Sequence, residues 1–112
     1  MTELTPAQRA VGDVAPQLAS LTDDVLFGQV WSRDVALSRR DRSLVTVASL
    51  VTSSSFEQLE SHLRLAKENG LREDELVEAI THLAFYAGWP KAMSAIKVAK
   101  RVFAEKEEMI HP

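Results

Sequence analysis

Residues 38–51, SRRDRSLVTVASLV, decide the fold class of this chain. Ser38 and Asp41 have the S-x-x-D spacing that opens a helix, and an apolar run over residues 44–51 follows them. Because that run is apolar on nearly every side, it predicts a central helix.

Helical spacing continues on both sides of this stretch, and no segment alternates as a strand does. Ser55 and Gln58 suggest a second capping box, and Gly70 and Gly88 stand where helices should end. Pro16 is expected to kink or end the first helix. The other predicted helices span residues 6–18, 23–31, 55–69, 73–87 and 90–106. We therefore expect an all-α protein of five or six helices, forming a single small domain over residues 1–112.

Composition excludes several functions. The chain has 112 residues, a net charge of −3 and no cysteine, so it lacks the basic surface typical of nucleic-acid binding and all thiol chemistry. No apolar run reaches the roughly 18 residues of a membrane span, and residues 1–10 lack the pattern of a signal peptide. We expect a cytoplasmic protein with no nucleic-acid or membrane partner.

His62 lies within the predicted helix 55–69, beside the apolar positions Leu59, Leu63 and Ala66. An imidazole in this setting can serve as a general acid or base near neutral pH. The alternative is a half-buried histidine that caps or packs at a subunit contact.

His82 has Glu78 one helical turn before it and Tyr86 one turn after it. A Glu–His pair at this spacing can orient an imidazole and raise its basicity, or it can be a surface ion pair of little consequence. The H-E-x-x-H and di-iron patterns are absent, so no metal site is expected.

Arg39, Arg40 and Arg42, with Arg33 just upstream, are the densest group of cations in the chain. At a helix N-terminus they suggest a site for carboxylates. The alternative is a solvated face whose charge Asp34 and Asp41 balance.

Residues 86–90, YAGWP, join two predicted helices through a tight turn. Trp89 is expected either to fill the space between these helices or to line a pocket. Tyr86 can donate a hydrogen bond at the same corner.

The order of several motifs resembles the carboxymuconolactone decarboxylase family over about residues 25–105. The matching residues are RSLVTVASLV at 42–51, LESH at 59–62, Ala66-x-x-Asn-Gly70, ELVE at 75–78 and YAGWPKA at 86–92. Gly28-x-x-Trp31-x-Arg33 and Arg39-Arg40-x-Arg42-Ser43 extend the resemblance upstream.

The resemblance implies an alkylhydroperoxidase-D-like fold that assembles into trimers or hexamers with sites between subunits. It also implies decarboxylation of 4-carboxymuconolactone to 3-oxoadipate enol-lactone and CO2, in aromatic catabolism and without a cofactor. The peroxidase branch of this fold carries Cys-x-x-Cys-x-x-x-His, whereas this chain has Ser55 and Gln58 ahead of His62. Peroxidase chemistry is therefore not expected, because it needs a thiolate.

The resulting hypothesis is decarboxylation of a small anionic acid. Arg42, with Arg39 or Arg40, would hold the carboxylates, and His82 and Trp89 would also contact the substrate. His62 would supply the proton, and Tyr86 would bind the developing enolate oxygen. The alternative is a cysteine-less family member that binds a small anionic metabolite or acts on a related lactone or oxo acid.

Overall fold

The computed structural model describes the backbone of residues 3–110 and the side chains of residues 3–105, and the regular structure of these residues is entirely helical. This confirms the predicted fold class. Contacts divide the chain into two units, Met1–Arg39 and Arg40–Pro112. The single domain expected over residues 1–112 stays a prediction.

The first unit contains α1 (Pro6–Val11), α2 (Pro16–Ser20) and a π-helical segment, Leu21–Val30. Thr5 opens α1 through a reciprocal pair of bonds with Gln8, at 3.1 Å and 2.8 Å. The helix predicted over residues 6–18, with a kink or end at Pro16, is two helices in the structure. The first ends at Val11, and Pro16 begins the second at its first position, where a missing N–H costs nothing.

The predicted helix over residues 23–31 also differs from the structure. The helical backbone continues from α2 without a break, and residues Leu21–Val30 are π-helical. The Asp23 carboxylate accepts a hydrogen bond of 2.7 Å from the Thr5 hydroxyl.

The remaining helices are α3 (Arg39–Thr52), α4 (Phe56–Glu68), α5 (Glu73–Tyr86) and α6 (Trp89–Ile110). Their bounds agree with the sequence prediction to within a residue or two, except that α6 continues beyond residue 106. Gly70 and Gly88 have φ angles of +105° and +117°, which glycine adopts without a steric penalty. The predicted capping box at Ser55 is wrong, since its side chain makes no capping hydrogen bond.

The core of the second unit lies where α6 packs against α4 and α5. Alanines on α6 allow close approach. The fully buried side chains of this core include Val47, Val51, Leu59, Leu63, Leu76, Ile80 and Ala95.

The α3 helix is amphipathic, so the prediction of a central helix is wrong. Ser43, Val47 and Val51 are buried at four-residue spacing, whereas Val45 is 62% exposed. Asn69 on the segment after α4 donates a hydrogen bond of 3.0 Å to the buried Ser43 hydroxyl. Within the described residues, no helix is long and apolar enough to cross a membrane.

Candidate functional site

A surface cavity of about 500 Å³ lies between α3 and α5. Five of its lining residues are apolar, and four are polar or charged. These are Leu44, Ala48, Leu71, Ala79 and Leu83, with Arg40, Glu75, Glu78 and His82. The cavity thus places a guanidinium and an imidazole, both predicted to bind substrate, against an apolar wall.

Arg40 is half-buried at the start of α3 and donates hydrogen bonds to Glu75 and, over 3.2 Å, to Asp41. A guanidinium has five N–H donors in a planar fork. Arg40 can therefore bind a further carboxylate while it remains beside Glu75.

Glu75 is held from two sides. One of its oxygens accepts a hydrogen bond of 2.9 Å from the Arg72 backbone N–H, and the other accepts from Arg40. The Arg72 N–H and the positive charge of Arg40 lower the pKa of this carboxyl below its usual value, so it is ionised at neutral pH.

His82 is exposed and lies on α5 with its ring 4.8 Å from that of Tyr86, centroid to centroid. Glu78 also lines the cavity, but no ion pair joins Glu78 to His82 among the described contacts, so the Glu–His pair expected from the spacing does not form. Among the described side chains, no three His, Asp or Glu residues come together as ligands of one metal ion would.

His62 lies on α4, is half-buried, and is not among the described residues that line the cavity. Its Nδ1 atom is fully buried. Burial lowers the pKa of this imidazole below 6.5 because it disfavours the charged form. His62 is therefore neutral at pH 7 in the absence of a nearby anion.

This lowered pKa predicts how stability depends on pH. Between the folded and unfolded pKa values the unfolded chain binds more protons, so the free energy of unfolding rises with pH. The stabilisation is present above about pH 6.5 and is lost as pH falls through the lowered folded value. Urea unfolding at pH 5.5 and 7.5, at one protein concentration, should show a smaller difference in H62Q than in the unsubstituted protein. An equal difference in both would contradict this assignment.

The other arginines have separate environments. Arg39 forms an ion pair of 3.1 Å with Asp34, and both side chains are more than half exposed, as the charge-balanced alternative requires. Arg42 is half-buried on α3, where its carbonyl accepts a hydrogen bond of 2.8 Å from the Thr46 hydroxyl. Arg40 is thus the arginine of this group that the structure places in the cavity.

The corner between α5 and α6 presents aromatic side chains to solvent. The rings of Phe85 and Trp89 pack edge to face, with 5.4 Å between their centroids. Trp89 is 57% exposed, and Tyr86 is 78% exposed. The expectation that Trp89 fills the space between the helices is wrong, since Gly88 turns the chain so that the indole lies outside the core. Trp89 and Tyr86 are not among the described residues that line the cavity.

Glu75 is the residue of this site that sequence reasoning missed. It lies 35 residues from Arg40, so helical periodicity carries no signal of their contact. The sequence shows it as the first residue of the ELVE motif and as one of three acidic residues in the first turn of a helix, a position that the helix dipole favours by itself.

Comparison with known proteins identifies the family. The model of the carboxymuconolactone decarboxylase family matches residues 16–101, and the chain belongs to that family. This agrees with the resemblance carried by the sequence motifs.

The chain is similar to two named relatives. It is 43% identical over 79 residues to a 4-carboxymuconolactone decarboxylase from Acinetobacter baylyi, a match that covers 70% of this chain. It is 36% identical over 75 residues to a nitrosuccinic acid decarboxylase from Metarhizium robertsii, covering 67% of this chain. The matches span 58% and 52% of the lengths of these relatives.

An uncharacterized 15.0 kDa protein from Paracoccus denitrificans is 26% identical over 102 residues. That match covers 89% of this chain and 75% of the relative.

Proposed function

We propose that this protein decarboxylates a small organic acid and that 4-carboxymuconolactone is the first substrate to test. The observation that carries the proposal is the cavity in which Arg40 and His82 face an apolar wall. Membership of a family with two relatives named as decarboxylases supports the reaction type.

Decarboxylation needs no separate electron acceptor if the substrate itself accepts the electron pair of the C–C bond that breaks. The C–C bond to the departing carboxylate breaks, CO2 leaves, and the electron pair moves into a conjugated carbonyl to give an enolate. A proton then adds to carbon. The proposal includes no cofactor, because the carbonyl takes the role of electron sink.

Arg40 is proposed to hold a carboxylate that stays on the product. An ion pair to the departing carboxylate would stabilise the ground state and slow its loss as neutral CO2. The apolar side chains Leu44, Ala48 and Leu83 suit the departing group, because they favour CO2 over the ionised carboxylate. His82 is proposed to contact the substrate from the other side of the cavity.

His62 is proposed as the group that carries the proton. Its imidazole is neutral at rest, since burial lowers its pKa. An anionic substrate nearby would favour the protonated form and prepare it to donate. Arg42 is proposed as a second grip on the substrate, and Tyr86 as the donor to the enolate oxygen.

We also propose that the chain assembles as a homo-oligomer, a trimer or a hexamer. Phe85, Tyr86, Trp89 and Met93 are each more than half exposed at the corner between α5 and α6. Such a group of large apolar side chains is typical of a protein interface. Cover by a second copy would also place Tyr86 and Trp89 out of water.

The test is an assay of the purified protein with 4-carboxymuconolactone, following substrate loss and CO2 release, on protein whose molar mass is measured by light scattering. We expect turnover on the order of 1 to 1,000 per second from an oligomer. Binding without turnover would overturn decarboxylation of this substrate and favour the alternative of an anion-binding protein. Turnover by a monomer would overturn the proposed assembly alone.

A further inference from the structure

We infer that Glu75 competes with the substrate for Arg40 and so limits the affinity of the cavity for carboxylates. This inference rests on the proposed use of the cavity as a carboxylate site. Glu75 does not need to touch the substrate for this role, because it acts through the guanidinium that both groups bind.

The geometry makes Glu75 an internal counterpart of the ligand. The Arg40 and Glu75 side chains are 40% and 25% exposed, so they are only partly screened by solvent. Glu75, whose carboxylate accepts a hydrogen bond from Arg40, is one of the residues that line the cavity. A carboxylate entering the cavity must share Arg40 with this oxygen or displace it.

The charges of the residues that line the cavity also weaken its attraction for an anion. One guanidinium, from Arg40, stands against two carboxyl groups, from Glu75 and Glu78. Because the ion pair neutralises Arg40, an approaching anion gains less Coulomb energy than a lone guanidinium would give it. Removing the charge of Glu75 should therefore tighten anion binding.

Asp41 also accepts a hydrogen bond from Arg40, over 3.2 Å, but it is not among the described residues that line the cavity. The two acidic residues next to Glu75 on α5 have no described contact with Arg40. Glu73 forms an ion pair of 2.6 Å with Lys67, and Asp74 forms one of 3.0 Å with Arg72. Neither residue is among those lining the cavity. Asp74 is thus a matched control, one position away in sequence and with the same charge.

The experiment compares the binding of adipate to the unsubstituted protein, E75Q and D74N by isothermal titration calorimetry. Glutamine keeps an oxygen that can accept from the Arg72 N–H, so the start of α5 is preserved. We expect the Kd for adipate to fall about tenfold in E75Q, since the competing charge is gone. D74N should change the Kd less than about twofold, because exposed charges are screened.

An unchanged or weaker Kd in E75Q, no adipate binding by E75Q, or an equal gain in D74N would each overturn the inference. E75A is the second variant, and the same tightening is expected if E75Q does not fold. The outcome is separable from the proposed function. Tighter adipate binding by E75Q without turnover of any lactone would leave the inference standing and remove the decarboxylase proposal. Turnover with unchanged adipate binding would do the reverse.

Discussion

H62Q is expected to lower kcat with 4-carboxymuconolactone by about 10² to 10⁴-fold, the range that a positioned acid or base contributes. Glutamine approximates the size and polarity of the imidazole but cannot carry a proton between pH 5 and 8. KM should change little, because Arg40 and His82 rather than His62 are proposed to hold the substrate in the cavity. Steady-state kinetics at pH 7 measure both quantities.

The H82Q variant is the comparison for H62Q, because it changes the other histidine that is proposed to act in the site. Since His82 lines the cavity, this change should raise KM and leave kcat within a few-fold. Circular dichroism and light scattering should give the same helicity and molar mass for both variants. If H82Q lost kcat while H62Q kept it, His82 rather than His62 would be the proton donor, and the role proposed for His62 would be refuted.

Sequence patterns predict most helix bounds of the second unit, because the spacing of apolar residues and the positions of glycines set these bounds locally. In α4, Leu59, Leu63 and Ala66 repeat at helical spacing and are all fully buried. Gly70 ends that helix with a positive φ, which few other residues adopt without strain. Hydrogen bonds from Gly70 N–H to Lys67 and from Leu71 N–H to Ala66 complete the end of the helix.

The errors arise where residue types alone do not determine which face of a helix is buried or how its backbone is hydrogen-bonded. Residues 44–51 are apolar enough to suggest burial all round, but the four-residue spacing of Ser43, Val47 and Val51 selects one buried face. In the first unit, the spacing of apolar residues around Leu26 and Val30 predicts a helix, and the structure forms a π-helix over Leu21–Val30. Nothing in that spacing sets the hydrogen-bond register, so the π-helical backbone could not be predicted.

The site was predictable as a set of residue types but not as a set of contacts. The sequence marks Arg42, with Arg39 or Arg40, as the candidate for an anion site. Helix geometry separates them, because successive residues of a helix point about 100° apart and only one direction faces α5. Which direction that is depends on packing over a separation of 35 residues, as between Arg40 and Glu75.

R40A is expected to raise KM for 4-carboxymuconolactone by about 10- to 100-fold while kcat falls much less. The reason is that a charge-assisted hydrogen bond to a carboxylate is worth about 1.5 to 3 kcal/mol. The group that Arg40 is proposed to hold remains on the product, so its contribution is equal in the ground state and the transition state. The measurement is kcat and KM from initial rates at fixed, low ionic strength.

The matched control is R101A, which removes the same charge from an exposed α6 residue paired with Glu60 at 3.4 Å. It should leave KM unchanged, whereas an equal rise would mean that net charge rather than the cavity attracts the substrate. A second comparison addresses the Glu75 carboxylate, which R40A leaves without its cation. In R40A/E75Q the charge of the pair is balanced again but the guanidinium fork is missing, so KM should stay high. If KM instead returned to the value of the unsubstituted protein, Arg40 would serve only to neutralise Glu75, and the substrate carboxylate would have to be held elsewhere.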